Sequence, residues 1–254
     1  MRLVAKRRGV ASVIADLRQQ GSLKALFPRA QGDALDVVFL NTAGGLTGGD
    51  RMRIDLVARA GVSVHVSSQA AERAYRAHPG QVARVDVGLE VAAGARVHWL
   101  PQETILFEGA ALDRRLSVQL VGDATALIVE PVIFGRAAMG EVVRDLQFMD
   151  HWRIWRDGTL VFADTVRIMG NADALLQRNA VAGGAGAMAT VLLAGPTAAA
   201  LAGLDLPQDA GASLIADDLL LVRLLARDGF DLRRALIPVI EALSAAPLPR
   251  VWRL

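Results

Sequence analysis

The 254-residue chain has no cysteine, four histidines, one tyrosine and two lysines, Lys6 and Lys24. Without cysteine it can form no disulfide framework, thiolate zinc site, iron–sulfur cluster or cysteine nucleophile, and it suits a reducing compartment. The histidines show no His-x-His or His-x-x-x-His spacing, so an imidazole metal site has little to build on. His65 and His98 fall on the polar side of expected strands and read as exposed, non-ligating side chains. The other basic residues are 26 arginines scattered in ones and twos, against 26 acidic residues, for a net charge of +2. No nucleic-acid-binding stripe results. Asp16 and Arg18 break the first apolar segment, which excludes a secretory h-region and points to the cytoplasm. The charge-free stretch 180–204 holds five glycines and Pro196. That makes a poor membrane helix, and it reads instead as a strand near 188–193 followed by a short helix opened by Pro196.

What the chain does have is 53% hydrophobic residues, enough to bury a sizeable core. Over residues 34–167 they recur with period two in short runs separated by glycine-containing turns, the signature of strands. Val85, Val87, Leu89 and Val91 alternate with Asp86 and Glu90; Leu116, Val118 and Leu120 alternate with Ser117 and Gln119. About ten strands fit before residue 170. Asp157-Gly158 supplies a two-residue hairpin turn. Trp152, Trp155 and Phe162 surround it and read chiefly as core.

Beyond residue 170 helices are expected. Asp217 reads as an N-cap for LLLVRLLAR, with Gly229 as its stop. Leu232, Ala235, Leu236, Val239, Ile240 and Leu243 then mark one face of a second helix that Pro238 should kink or split. The expected fold class is mainly β: a β-rich domain of many short strands with a few helices, mostly toward the C-terminus. A single domain over 1–254 is expected, β-rich to residue 170 and mixed from 171 to 254. The close spacing of the strands also suits a coil or two stacked sheets.

The segment LNTAGGLTGGDRM, residues 40–52, carries Gly44, Gly45, Gly48 and Gly49 and ends on Asp50. A phosphate-binding loop would need Lys and Ser/Thr after its last glycine, whereas Asp50 and Arg51 follow Gly49. Such a loop would also open a helix, and this one lies between two expected strands. Paired glycines suit a tight strand-to-strand reversal, and Asp50 suits either a cap on its own loop or a functional carboxylate.

Four segments in order now carry a resemblance: LNTAGGLTGGDRM, SSQAAERAYR at 67–76, WLPQETILFEGA at 99–110, and FGRAAMGE at 134–141 with Gly135, Arg136 and Gly140. Together they resemble the urease accessory protein family UreD, also called UreH, with likeness from about Gly9 to the C-terminal PRVWRL. Two departures are Ser67-Ser68-Gln69 where the family often has Thr-Thr-Gln, and Arg73 where it often has Lys. The resemblance implies a β-rich fold with few helices and a nonenzymatic chaperone of metallocentre assembly. It further implies a scaffold through which nickel reaches apo-urease, with direct binding to UreF and, within that assembly, the GTPase UreG.

A nickel conduit must release what it takes up, so transient passage along oxygen donors fits better than tight nitrogen or sulfur ligation. No tightly bound cofactor is expected, only transient nickel(II). The candidate transit residues are Asp50 and Glu141 first, then Glu130 and Glu103, with Glu108 and Gln69. Each carboxylate has a structural alternative: Asp50 as a cap on its own loop, Glu130 in an ion pair with Arg136, Glu141 with Arg136 or Arg144, and Glu103 and Glu108 as turn residues. The competing function is a β-rich carbohydrate-active enzyme using Glu103 and Glu108 as paired carboxylates. One Tyr and four Trp offer few rings for a sugar platform.

Overall fold

The computed structural model describes residues 1–29, 32–245 and 248–252. Its first strands are β1 (Arg2–Arg8), β2 (Ala11–Arg18), β3 (Leu23–Leu26), β4 (Leu35–Asn41), β5 (Arg51–Ala58) and β6 (Ser63–Ser68). There follow β7 (Glu72–Ala74), β8 (Ala83–Val91), β9 (Arg96–Leu100), β10 (Thr104–Leu106), β11 (Ala111–Leu120) and β12 (Thr125–Phe134). The chain continues through β13 (Leu146–Arg156), β14 (Thr159–Gly170), α1 (Ala172–Leu176) and β15 (Ala187–Ala194). It ends with β16 (Ala210–Ala216), β17 (Leu219–Ala226) and α2 (Gly229–Ser244). The protein is mainly β, as its periodicity predicts.

The strands form two sheets. Sheet A has seven in the order β14-β13-β11-β8-β5-β1-β2; sheet B has ten, β16-β17-β15-β12-β9-β6-β4-β3, with β10 joined to β12 and β7. From β4 to β13 the chain passes back and forth between them. Its successive strands in each sheet are parallel, β5-β8-β11-β13 in A and β4-β6-β9-β12 in B. This middle section is therefore a two-sheet coil, and the period-two alternation sorts side chains between its interior and its outer faces.

Three apolar clusters follow. Between the sheets, one packs Leu56, Leu89, Val118 and Ile154 against Val64, Val97 and Ile128, and a second packs Leu106, Leu112, Phe134 and Phe148. The third lies outside sheet B, where α2 sets Leu232, Leu236, Val239, Ile240 and Leu243 on Leu127, Val191, Leu220 and Val222. The helical face expected from spacing is thus the buried face, and α2 runs through Pro238 as one element.

Residues 219–226 correct a sequence expectation. LLLVRLLA is strand β17, paired to β15 and β16, and α2 starts at Gly229 with Asp228 as its cap, accepting from Asp231 N at 2.9 Å. The cause is burial on both faces: Leu219 packs inward while Leu220, Val222 and Leu224 pack under α2. A strand covered on both sides reads as a continuous apolar run that period alone does not separate from a helix. The hairpin expectation holds, since Asp157 (φ 49°) and Gly158 (φ 78°) join β13 to β14. Trp152 is core. The stretch near 188–193 is strand β15, followed by a short 3₁₀ turn at Ala199–Leu201.

Candidate functional site

Sheet B is interrupted along one line. β6 stops at Ser68 and resumes as β7 at Glu72; β9 stops at Leu100 and resumes as β10 at Thr104. Register sets Ser67 beside Leu100 and Glu72 beside Thr104, so the two gaps adjoin. β12 runs past both and places Glu130 and Pro131 alongside them. Pro101 and Pro131 each lack the N–H that a ladder requires. Side chains and single backbone bonds close part of the gap: Gln102 N donates to Ser68 Oγ at 2.8 Å, and Glu72 N to Glu103 O at 2.9 Å.

Behind this gap, between the sheets, lies a cavity of about 160 Å³. Its polar lining comes from Asn41, Gln69, Glu72, Gln102, Arg114 and Glu130, set among apolar walls such as Phe39, Leu46 and Leu112. A cavity of that size has room for water beside these polar groups. Glu72 accepts from Asn41 Nδ2 at 3.2 Å and from Arg73 N at 3.2 Å, and burial raises its pKa above the ordinary carboxylate value. Burial thus works against the charged form of this carboxylate, and the Asn41 and Arg73 bonds partly offset it.

At the inner end of the cavity three charged side chains meet in the core. Arg114 reaches from β11 across to sheet B, where Nη1 donates to Glu130 Oε2 at 2.5 Å and to Thr104 Oγ1 at 3.1 Å. Its Nε and Nη2 grip Asp150 of β13 at 3.0 and 2.7 Å. Trp99 Nε1 donates to Glu130 at 2.8 Å and Trp152 Nε1 to Asp150 at 3.3 Å. Burial alone would lower the Arg114 pKa, but Asp150 and Glu130 outweigh it, so the pKa rises and the guanidinium stays charged. Burial, reinforced by Asp150, raises the Glu130 pKa, which Arg114 and Trp99 only partly offset. Ion pairs this deep add little net stability, because desolvation cancels most of the attraction.

Of the six expected transit residues, Glu130 and Gln69 line this cavity. Glu103, one residue past Gln102, turns toward α2 and pairs with Arg233 at 3.1 Å. Asp50, Glu108 and Glu141 gather instead at one end of the coil. Asp50 accepts from Thr47 N at 2.8 Å, and the Thr47 hydroxyl donates to Arg76 O, so Asp50 does cap its own loop. Glu108 accepts from Arg144 N at 2.6 Å and Asp145 N at 3.0 Å, and lies 3.7 Å from Arg76. Glu141 accepts from Arg136 Nε at 2.8 Å and from Glu108 N at 3.2 Å, and its pKa is lowered, chiefly by the Arg136 bond. Glu130 pairs with Arg114, not with the Arg136 that sequence proximity suggests. Glu103 and Glu108 face different partners and are not arranged around a common cleft.

Arg114, Asp150, Glu72 and Gln102 were not singled out by sequence reasoning. For two of them a signal existed: Arg114 is in phase with Leu112 and Leu116, and Asp150 with Phe148 and Trp152, so each is a charge at an inward position of an alternating strand. Among the described residues no three His, Asp or Glu side chains are grouped to hold a metal ion. His98 corrects the expectation of exposure: it is 3% exposed, stacked on His65 at 4.7 Å, with His65 Nδ1 3.1 Å from Asp36. The outer face of sheet B is itself covered here, since the neighbour of His98 in register is Leu127 of the α2 cluster.

The sequence matches the family described as UreD urease accessory protein over residues 1–253. The chain belongs to the UreD family. A Ruegeria pomeroyi protein named urease accessory protein UreD is 49% identical, covering 99% of each chain. The protein of that name from Roseobacter denitrificans is 45% identical over 100% of this chain and 93% of its own, and one from Rhizobium leguminosarum bv. viciae is 47% identical over 99% and 93%. No helix among the described residues is long and apolar enough to cross a membrane.

In this UreD chain the glycine-rich segment is a crossing from β4 in sheet B to β5 in sheet A. Gly45 sits at φ 155°, where an added Cβ would collide with the Tyr75 ring and stand 2.7 Å from Arg73 O. Gly135, at φ 73°, packs similarly, an added Cβ falling 2.9 Å from Val143 Cγ2. Gly45→Ala is expected to cost about 1–3 kcal/mol through strain and overpacking, read as a lower denaturant midpoint. An unchanged midpoint would show that the loop has slack.

Proposed function

We propose that this protein is a nonenzymatic urease maturation factor, a cytoplasmic scaffold that passes nickel(II) to apo-urease. It binds UreF directly, meets the GTPase UreG within that assembly, and docks on the urease subunits. The observation that carries the reading is the match to UreD along essentially the whole chain. The cavity supports the conduit part. It is lined by oxygen donors of modest affinity, Glu72, Gln69 and Glu130, and lacks the thiolate or imidazole set that would trap a nickel ion. Entry is favoured by carboxylate charge and exit by the absence of a closed ligand sphere. Asp50, Glu108 and Glu141 belong to the end of the coil, where they hold the loops and offer further oxygens.

Co-expression of urease with its accessory proteins, with and without this chain, tests the assignment. Omission should leave urease close to its apo activity, and unchanged activity would refute the assignment. Glu72→Gln keeps the shape of the cavity but removes its charge. It should leave the accessory complex intact and lower the nickel content of urease several-fold, by metal analysis of the purified enzyme. A normal nickel content would place the route elsewhere.

A further inference from the structure

We propose that Arg114 is a displaceable plug: its guanidinium closes the inner end of the cavity and must leave Glu130 and Asp150 for a divalent cation to pass between the sheets. The inference rests on the conduit reading of the cavity. Its geometric basis is the position of the guanidinium. Arg114 and Glu130 both line the cavity and are both deeply buried, at 5% exposure each. Asp150 does not line it and is held by the opposite edge of the guanidinium, through Nε and Nη2. Arg114 therefore stands between the open volume and the second carboxylate.

Charge supplies the second argument. One buried monocation faces two carboxylates, so the set is one positive charge short of balance, and in a low-dielectric interior that shortfall attracts a cation strongly. A dication would balance the pair completely; a single proton would do the same while Arg114 stays in place. The guanidinium itself repels an arriving dication, so closed is the resting state. Its withdrawal has somewhere to go, because the cavity borders the side chain. The carboxylates would stay placed once it left, since Trp99 and Trp152 hold them independently and Thr104 Oγ1 lies beside the Glu130 contact. Exchange of one cation for another makes the passage reversible, as a conduit requires.

The test uses the purified full chain and nickel(II) alone, by equilibrium dialysis and thermal shift. Arg114→Gln should take up about one nickel per chain more than wild type, and nickel should raise its melting temperature progressively. Arg114→Gln/Glu130→Gln should lose that gain. A folded Arg114→Gln that binds no more nickel than wild type overturns the proposal. If Arg114→Gln does not fold, the uncharged triple Arg114→Gln/Glu130→Gln/Asp150→Asn decides the matter in the urease co-expression assay. A plug with its two acceptors predicts loss of activation in the triple variant, whereas a purely structural network predicts full activation. The dialysis result is independent of urease, so failure of the plug is distinguishable from failure of the conduit, which the Glu72→Gln variant reads.

Discussion

Glu130→Ala is expected to destabilise the fold by about 3–5 kcal/mol, the range for removing one partner of a buried ion pair. The carboxylate accepts from Trp99 Nε1 and from Arg114 Nη1, and both side chains are deep in the core. The substitution leaves an indole N–H without its acceptor and removes one of the two counter-charges of Arg114. At roughly 2–4 °C per kcal/mol for a chain of this size, the melting temperature should fall by on the order of 10 °C. Asp16→Ala provides the contrast. Its ion pair with Arg2 is 3.5 Å long with both side chains more than half exposed, and such pairs contribute about 0–1 kcal/mol. Denaturant unfolding of the two variants side by side would settle the ranking. A Glu130→Ala loss no larger than that of Asp16→Ala would mean that the interior network is solvated enough to do without its carboxylate.

Acid should destabilise the protein through His98. Burial is the main cause that holds the folded pKa of this ring at about 3, with His65 and Arg96 contributing, against an ordinary value of 6.5. Below pH 6.5 the unfolded chain therefore binds a proton that the folded chain refuses. The stability is complete above 6.5 and is lost as pH falls toward 3, at about 1.4 kcal/mol per pH unit. Between pH 6 and pH 4 that amounts to roughly 2–3 kcal/mol from one side chain. The His65 ring stacked on it acts in the same direction, as does Arg96, and the Asp36 carboxylate, which would act the other way, engages His65 rather than His98. His98→Gln removes the titration while keeping a polar side chain, so its unfolding free energy should fall less steeply with acid than that of wild type. Parallel curves for the two proteins would show that His98 is protonated in the folded state.

How much of this was legible beforehand varies with the element. Period-two alternation located the strands of the coil and their buried sides. Val87, Leu89 and Val91, with Leu116, Val118 and Leu120, face the interior as their spacing requires. The face of α2 was equally legible, because a helix buried on one side leaves a stripe. β17 was not, because burial on both sides erases the contrast that periodicity measures. The same limit applied to His98. Alternation assigned it correctly to the outer face, but only the packing of α2 against sheet B decides that this face is dry. The four ordered motifs identified the family, and two of them, SSQAAER and WLPQET, turn out to be the adjoining gaps in sheet B that open the cavity.

The sequence by itself determined the fold class, the family and one excluded chemistry: without cysteine no thiolate can store a metal here. Tertiary structure alone decided which charges meet. Arg114, Glu130 and Asp150 lie on three different strands in two sheets. A local period tells which way each side chain points but carries no information about which strand lies opposite. Parallel register sets Arg114 beside Asp150, and the packing of one sheet on the other sets Glu130 against Arg114, so the expected pair between Glu130 and Arg136 is replaced by a buried link between Glu130 and Arg114.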